Sequence, residues 1–242
     1  MYLEVTRKIG RLAGALESGE DSPVLEALLL QRARLLASAR GKIPALAECL
    51  SPLKDTTHNL VYCGDGSVEG EPDASVIRQI DATVLALGRD LGMVVAKYVA
   101  DTSLTRRHAM RQRFAEGSLQ ALVAIRCLDE GVDVPETRRA FILASSTNPR
   151  QFVQRRGRIL RRAPGKSMAE IYDFIVDPPA EETNPASPVF PTVRNLFRRE
   201  LGRIWEFAAL ATNGPEALQK LLPLRERLHL LDFGANDGEE GD

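Results

Sequence analysis

Apolar positions change their period partway along the chain. Leu3, Ile9, Leu12 and Leu16 recur at helical spacing, and a second helical pattern runs from Val24 to Leu36, with Arg32, Arg34 and, just beyond, Arg40 off the apolar positions. Pro44 marks a break or a fresh helix start in "GKIPALAECL". From Asn59 onward, short apolar runs replace the helical stripe. "NLVYCG", "MVVAKYVA", "ALVAI", "RAFILA" and "AEIYDFIV" each read as a buried strand. Helical stretches lie between them, at 73–91, 104–116 and 149–160. Strands alternating with helices predict an α/β fold, a parallel sheet with helices on both faces, whose ligands sit at the loops leaving the carboxyl ends of the strands. "DPPAEETNPASPVFP" reads as a linker, two further helical patterns occupy 193–211 and 215–230, and "GANDGEEGD" reads as a disordered acidic tail. The expected division is a helical N-terminal extension over 1–56, the α/β domain over 57–178, linker and C-terminal helices over 179–232, and the tail over 233–242. Leu28, Leu29, Leu30, Leu35 and Leu36 are expected in the core rather than at an interface.

Composition narrows the function classes. The 242 residues carry a formal charge of −1, so any affinity for an anion must come from a local patch. Cys49, Cys63 and Cys127 are odd in number and widely spaced, which argues against a disulfide framework or a zinc site and for a reducing compartment. No apolar run is long enough to cross a bilayer, and the N-terminus does not read as a signal peptide. The expectation is a cytoplasmic protein with no membrane partner and no protein-bound metal.

Two stretches carry candidate chemistry. "QFVQRRGRILRRAPGK" holds Arg155, Arg156, Arg158, Arg161, Arg162 and Lys166 without an acid. A solvated helix ordinarily mixes signs, because like charges at these spacings repel. An external anion would relieve that repulsion, and arginine favours planar, bidentate recognition of phosphate oxygens. Gly157 inside the helix costs about 1 kcal/mol relative to alanine and suggests close approach by another backbone or a phosphate. The second stretch, "RCLDEGVDVPE", gathers acids around Gly131. It reads either as a solvated turn or as a loop whose glycine lets the backbone approach a ligand while a carboxylate accepts from a sugar hydroxyl. "APGKS" ends like a phosphate-binding loop, but Leu160 stands where the first glycine belongs, and the loop follows a helix rather than a strand.

"ALVAIRCLDEGVDVP" followed by "NPRQFVQRRGRILR" resembles motifs V and VI of superfamily 2 helicases, in the flavour of DNA repair and restriction-type translocases. The resemblance covers 59–176, with "TSLTRRHAMRQRFAEG" similar to the segment such proteins place before motif V. It implies a second RecA-like lobe; the N- and C-terminal helical extensions lie outside the resemblance. In that family, ATP binds between two lobes, and the first supplies the phosphate-binding loop, the magnesium-binding acids and the water-activating group. The resemblance makes Arg158 and Arg161 the arginine fingers. Gln154 and Arg155 would lie beside the phosphates, and Gly131 and Asp133 near the ribose and the interlobe coupling machinery, with Glu130 sharing in the coupling. Thr102, Gly64 and Arg126 would face the nucleic-acid backbone. Ile125 departs from the threonine common in relatives and removes one phosphate contact.

The sequence contains neither a phosphate-binding loop nor a DExD/H box, so the resemblance implies ATP hydrolysis only with a first lobe in cis or in trans, which would also hold the magnesium. The leading expectation is a fragment of an ATP-dependent DNA helicase or translocase, with RNA as the alternative nucleic acid. A non-catalytic nucleic-acid-binding module and a protein scaffold are the competing readings.

Overall fold

The computed structural model describes residues 1–15, 22–64, 67–68, 77–125, 134–144 and 157–231. Backbone contacts divide the chain into one unit of Arg34–Val176 and another of Met1–Ala33 with Asp177–Asp242.

Five parallel strands form the first unit: β1 (Asn59–Cys63), β4 (Val95–Tyr98), β5 (Ala121–Ile125), β6 (Arg139–Ile142) and β7 (Glu170–Asp173), in the order β4-β5-β1-β6-β7. Successive side chains on a strand point to opposite faces, and here both faces are apolar. Leu60, Tyr62, Leu122, Ala124, Ala140 and Ile142 join one core; Val61, Cys63, Ala121, Val123, Phe141 and Leu143 join the other. That is why the sequence shows unbroken apolar runs rather than alternation. The first core is completed by Met110 and Phe114 of α5 (Leu104–Ala115), which connects β4 to β5. The second is completed by Leu46 and Leu50 of α3 (Lys42–Leu50) and by Ile80 of α4 (Gln79–Leu85), with Leu87 in the π-helical turn that prolongs α4. The expected parallel sheet with helices on both faces is therefore present. Pro44 lies in the first turn of α3, where its missing N–H leaves no bond unmade.

One expectation fails here. The helix read over 73–91 begins only at Gln79; before it, β2 (Ser67–Val68) and β3 (Ile77–Arg78) pair antiparallel. Arg78 is extended at the helix start, so the chain enters α4 from a strand.

The second unit is helical: α1 (Tyr2–Ala15), the Pro23–Ala33 part of α2 (Pro23–Ala37), α6 (Phe190–Ala208), α7 (Gly214–Gln219) and α8 (Leu222–Arg227). Val193, Phe197 and Leu201 form the buried stripe of α6. Gly10 of α1 lies where a Cβ would stand 3.0 Å from Thr192 Oγ1 of α6, so the helices meet closely there. The single helix read over 215–230 is two, because Pro223 in the first turn of α8 supplies no N–H to continue α7. Of the leucines of α2, Leu28, Leu29, Leu35 and Leu36 are half-buried, and Leu30 departs from the expected core. Leu30 is 61% exposed, whereas Arg32 is buried and donates to Thr6 Oγ1 at 3.3 Å and Tyr2 Oη at 2.6 Å. The acidic tail lies outside the described residues.

Glu182 is buried in the same unit. Burial raises its carboxyl pKa above the usual glutamate range, against the pull of Arg32 and Arg7 and with Glu181 adding to the rise. A raised folded-state value means that its contribution to stability is complete below the free glutamate pKa and is lost as pH rises through the folded value. Thermal unfolding midpoints should therefore show that loss across this interval, and Glu182→Gln, which cannot ionise, should remove it. Identical pH profiles for the two proteins would refute the assignment.

Candidate functional site

At the carboxyl ends of the strands, the structure holds two of the anticipated residues. The chain leaves β4 through a turn in which Thr102 N donates to Val99 O at 3.0 Å and Thr102 Oγ1 accepts from Val99 N at 3.3 Å. The threonine oxygen is thus fixed as an acceptor, and its own proton remains available to an outside acceptor such as a phosphate. Arg107, in the first turn of α5, holds this turn from behind. Its guanidinium donates to Val99 O at 3.3 Å and to Ala100 O, and lies 5.6 Å from the centre of the buried Tyr98 ring. Ser103 caps α5 by accepting from Arg106 N at 3.4 Å.

Gly64 ends β1, two strands away from Thr102. Its N–H donates to Gln79 Oε1 at 2.8 Å, and Gln79 Nε2 donates to Ala37 O at 2.6 Å. A Cβ on Gly64 would stand 3.2 Å from Ala37 Cβ and 3.3 Å from Ala144 Cβ. The glycine is therefore needed for packing, and its amide is committed inward. Next to it, buried Lys42 donates to Leu143 O at 2.5 Å.

Arg158, Arg161 and Arg162, the described arginines of the cluster, do not share this edge. Gly157, Arg158 and Ile159 are helical and Leu160 turns away. Ile159 is 1% exposed, inserted in the core that contains Phe114 and Leu119. That anchor leaves Arg158 partly exposed and Arg161 exposed. Gly157 has open space where a Cβ would be, so no backbone of the described residues approaches it.

"APGK" is a turn and not a phosphate loop. Lys166 N donates to Ala163 O at 3.1 Å, with Pro164 and Gly165 at the central positions and Gly165 at φ +68°, as in a type II turn. Lys166 Nζ donates to Pro135 O at 2.9 Å, Ile159 O at 2.5 Å and Arg161 O at 2.9 Å. An ammonium has three protons, and these carbonyls take them all. Burial lowers the Lys166 pKa, with Glu136 pulling it back up and Arg138 lowering it further. Arg138 also donates to Gly165 O at 3.2 Å, and its own N–H donates to His58 O, before β1 begins. The knot thus lies at the amino-terminal edge of the sheet, opposite Thr102 and Gly64.

Sequence reasoning missed Gln79 and Arg107 and read Lys166 only as a charge. The Pro-Gly pair was the available signal for the turn. Arg126, Glu130, Gly131, Asp133, Gln154 and Arg155 lie outside the described residues. Among the described residues no cluster of three His, Cys, Asp or Glu side chains could hold a metal, and no helix is long and apolar enough to cross a membrane.

Residues 69–163 match the family described as helicase conserved C-terminal domain. The DNA 3'-5' translocase XPB2 of Sulfurisphaera tokodaii is 29% identical over 147 residues, covering 60% of this chain and 29% of its own length. The chain thus spans less than a third of that relative. Two solved structures overlap in part. A DEAD box protein from the hyperthermophile Methanococcus jannaschii has a TM-score of 0.40 at 23% identity, covering 55% of this chain and 32% of that chain. The C-terminal domain of the DEAD-box protein Dbp5 has a TM-score of 0.42 at 17% identity, covering 67% of this chain and 81% of that chain.

Proposed function

We propose that this chain, whose residues 69–163 match the helicase conserved C-terminal domain, is the second motor lobe of an ATP-dependent DNA helicase or translocase of superfamily 2. ATP is its substrate, shared with a first lobe that binds the triphosphate and its magnesium. The observation that carries the reading is the Arg158–Arg161 turn: two guanidinium groups flank a buried isoleucine on a turn whose carbonyls are tied down. Guanidinium groups held by a rigid base need little reorganisation as negative charge develops on a transferring phosphoryl group.

Arg158 and Arg161 are the fingers in this reading. Gln154 and Arg155 accompany them, and Gly131, Asp133 and Glu130 serve the ribose and the coupling between lobes. Thr102 donates to a nucleic-acid phosphate from its braced turn, and Arg126 is the second such contact in this reading; Gly64, whose amide is committed to Gln79, lines that edge without donating. Such contacts grip a backbone and read no base. The separation of the two edges fits a lobe that meets nucleic acid and nucleotide at different places.

The chain alone should hydrolyse ATP no faster than background. Joined to its first lobe it should hydrolyse ATP, and DNA should accelerate turnover more than RNA of equal length. Steady-state ATPase assays check this. Turnover by the chain alone would refute the shared site, and stronger stimulation by RNA would move the substrate to RNA.

A further inference from the structure

We infer that Lys166 is a positioning residue, which fixes the Arg158–Arg161 turn relative to the Val134–Pro135 segment. The inference rests on the reading of those arginines as contacts to the triphosphate. A lysine that merely capped a helix end would meet the last carbonyls of that helix and water. Lys166 meets those of Ile159 and Arg161, and its third proton goes to Pro135, 31 residues earlier in the chain. Pro135 lies next to buried Val134 and two residues after Asp133 in the sequence. One nitrogen therefore joins the Val134–Pro135 segment and the turn that carries the fingers.

The lysine is itself held in place. Its Cα ends the type II turn, Gly165 adopts φ +68° there, and Arg138 donates to the Gly165 carbonyl. Thr137 Oγ1 donates to Val134 O at 2.8 Å, bracing the other side of the knot. A shift of the 134–135 segment must then move Lys166 or break a charge-assisted hydrogen bond. Arginine cannot substitute, because a flat guanidinium spreads its donors in one plane and does not converge on three carbonyls from one nitrogen.

Lys166→Met keeps the length of the side chain and removes every donor. In the two-lobed protein it should lower kcat, per folded and nucleotide-bound molecule, on the order of tenfold to a hundredfold, because small misplacements of catalytic groups have effects of that size. The KM for ATP should stay within about twofold, since all three protons of the ammonium are taken by backbone carbonyls. Lys166→Arg should resemble Lys166→Met, and Arg158→Ala is measured beside them. Loss of turnover in Arg158→Ala with unchanged kcat in Lys166→Met overturns the inference alone, whereas unchanged turnover in Arg158→Ala overturns the finger reading beneath it. If Lys166→Met does not fold, Lys166→Gln carries the same measurement. Failure of both to fold would make the lysine a fold-holding residue and overturn the inference.

Discussion

If Arg158 is the finger proposed above, Arg158→Ala in a protein that joins this chain to a first lobe should lower ATP turnover by about 10³–10⁵-fold, the range in which arginine fingers act. Nucleotide affinity changes far less. The difference follows from where the charge is needed. A guanidinium that reaches the triphosphate from across a cleft acts mainly as negative charge builds in the transition state, while ground-state binding is dominated by the other lobe. Arg158 is partly exposed, and the turn is anchored by Ile159 and by carbonyl bonds that involve no Arg158 side-chain atom. A thermal unfolding midpoint measured beside the kinetics separates any loss of fold from loss of turnover. Arg158→Lys should recover little, because an ammonium lacks the planar fork that meets two phosphate oxygens at once. Single-turnover ATPase kinetics with a parallel nucleotide-binding titration separate the two quantities. Wild-type turnover in Arg158→Ala, or an equal loss in binding and turnover, would remove Arg158 from the finger role.

The contrast between Arg158 and Lys166 shows what was readable before any coordinates. Side-chain chemistry arranged in a motif is visible as letters, so the arginines stood out. Their support is made of backbone carbonyls, which every residue carries and no letter records. Lys166 reaches Pro135, Gln79 reaches Ala37 and Arg107 reaches Val99 through such atoms. The sheet was legible for a different reason. All five residues of β1 are buried, because one alternate set faces α5 and the other faces α3 and α4. Two-sided burial leaves a continuous apolar run that cannot be mistaken for a surface strand. The β2–β3 pair has two residues in each strand, too few for any period to register. The break between α7 and α8 was missed for a subtler cause. The apolar spacing runs through it, and only the absent N–H of Pro223 separates them. Arg32 is the reverse case: a charged letter that is buried because Tyr2 and Thr6 accept its donors.

Phe141→Ala should produce the largest loss of stability of any single truncation in the sheet unit, about 3–5 kcal/mol. The residue is fully buried in the core formed with α3 and α4. It occupies β6 opposite Val61 of β1 and Tyr172 of β7. Its ring stacks on Tyr172 with centroids 4.7 Å apart and planes 12° apart, a contact worth about 0.5–1.5 kcal/mol beyond burial. Tyr172 cannot easily swing into the space left behind, because its hydroxyl donates to Glu170 Oε2 at 2.8 Å. Leu46, Leu50, Ile80 and Leu87 come from helices whose backbones are fixed by the rest of the same core. A cavity there stays open, and open cavities are what make such truncations severe. Set against a total stability of about 5–15 kcal/mol for an ordinary domain, the loss brings the unit close to its unfolding threshold. Leu104→Ala serves as the control, because Leu104 is 82% exposed and should change stability by no more than about 0.5 kcal/mol. Urea unfolding followed by circular dichroism compares the two. If Phe141→Ala moves the midpoint no further than Leu104→Ala does, the helices of that face do not pack on the sheet as described.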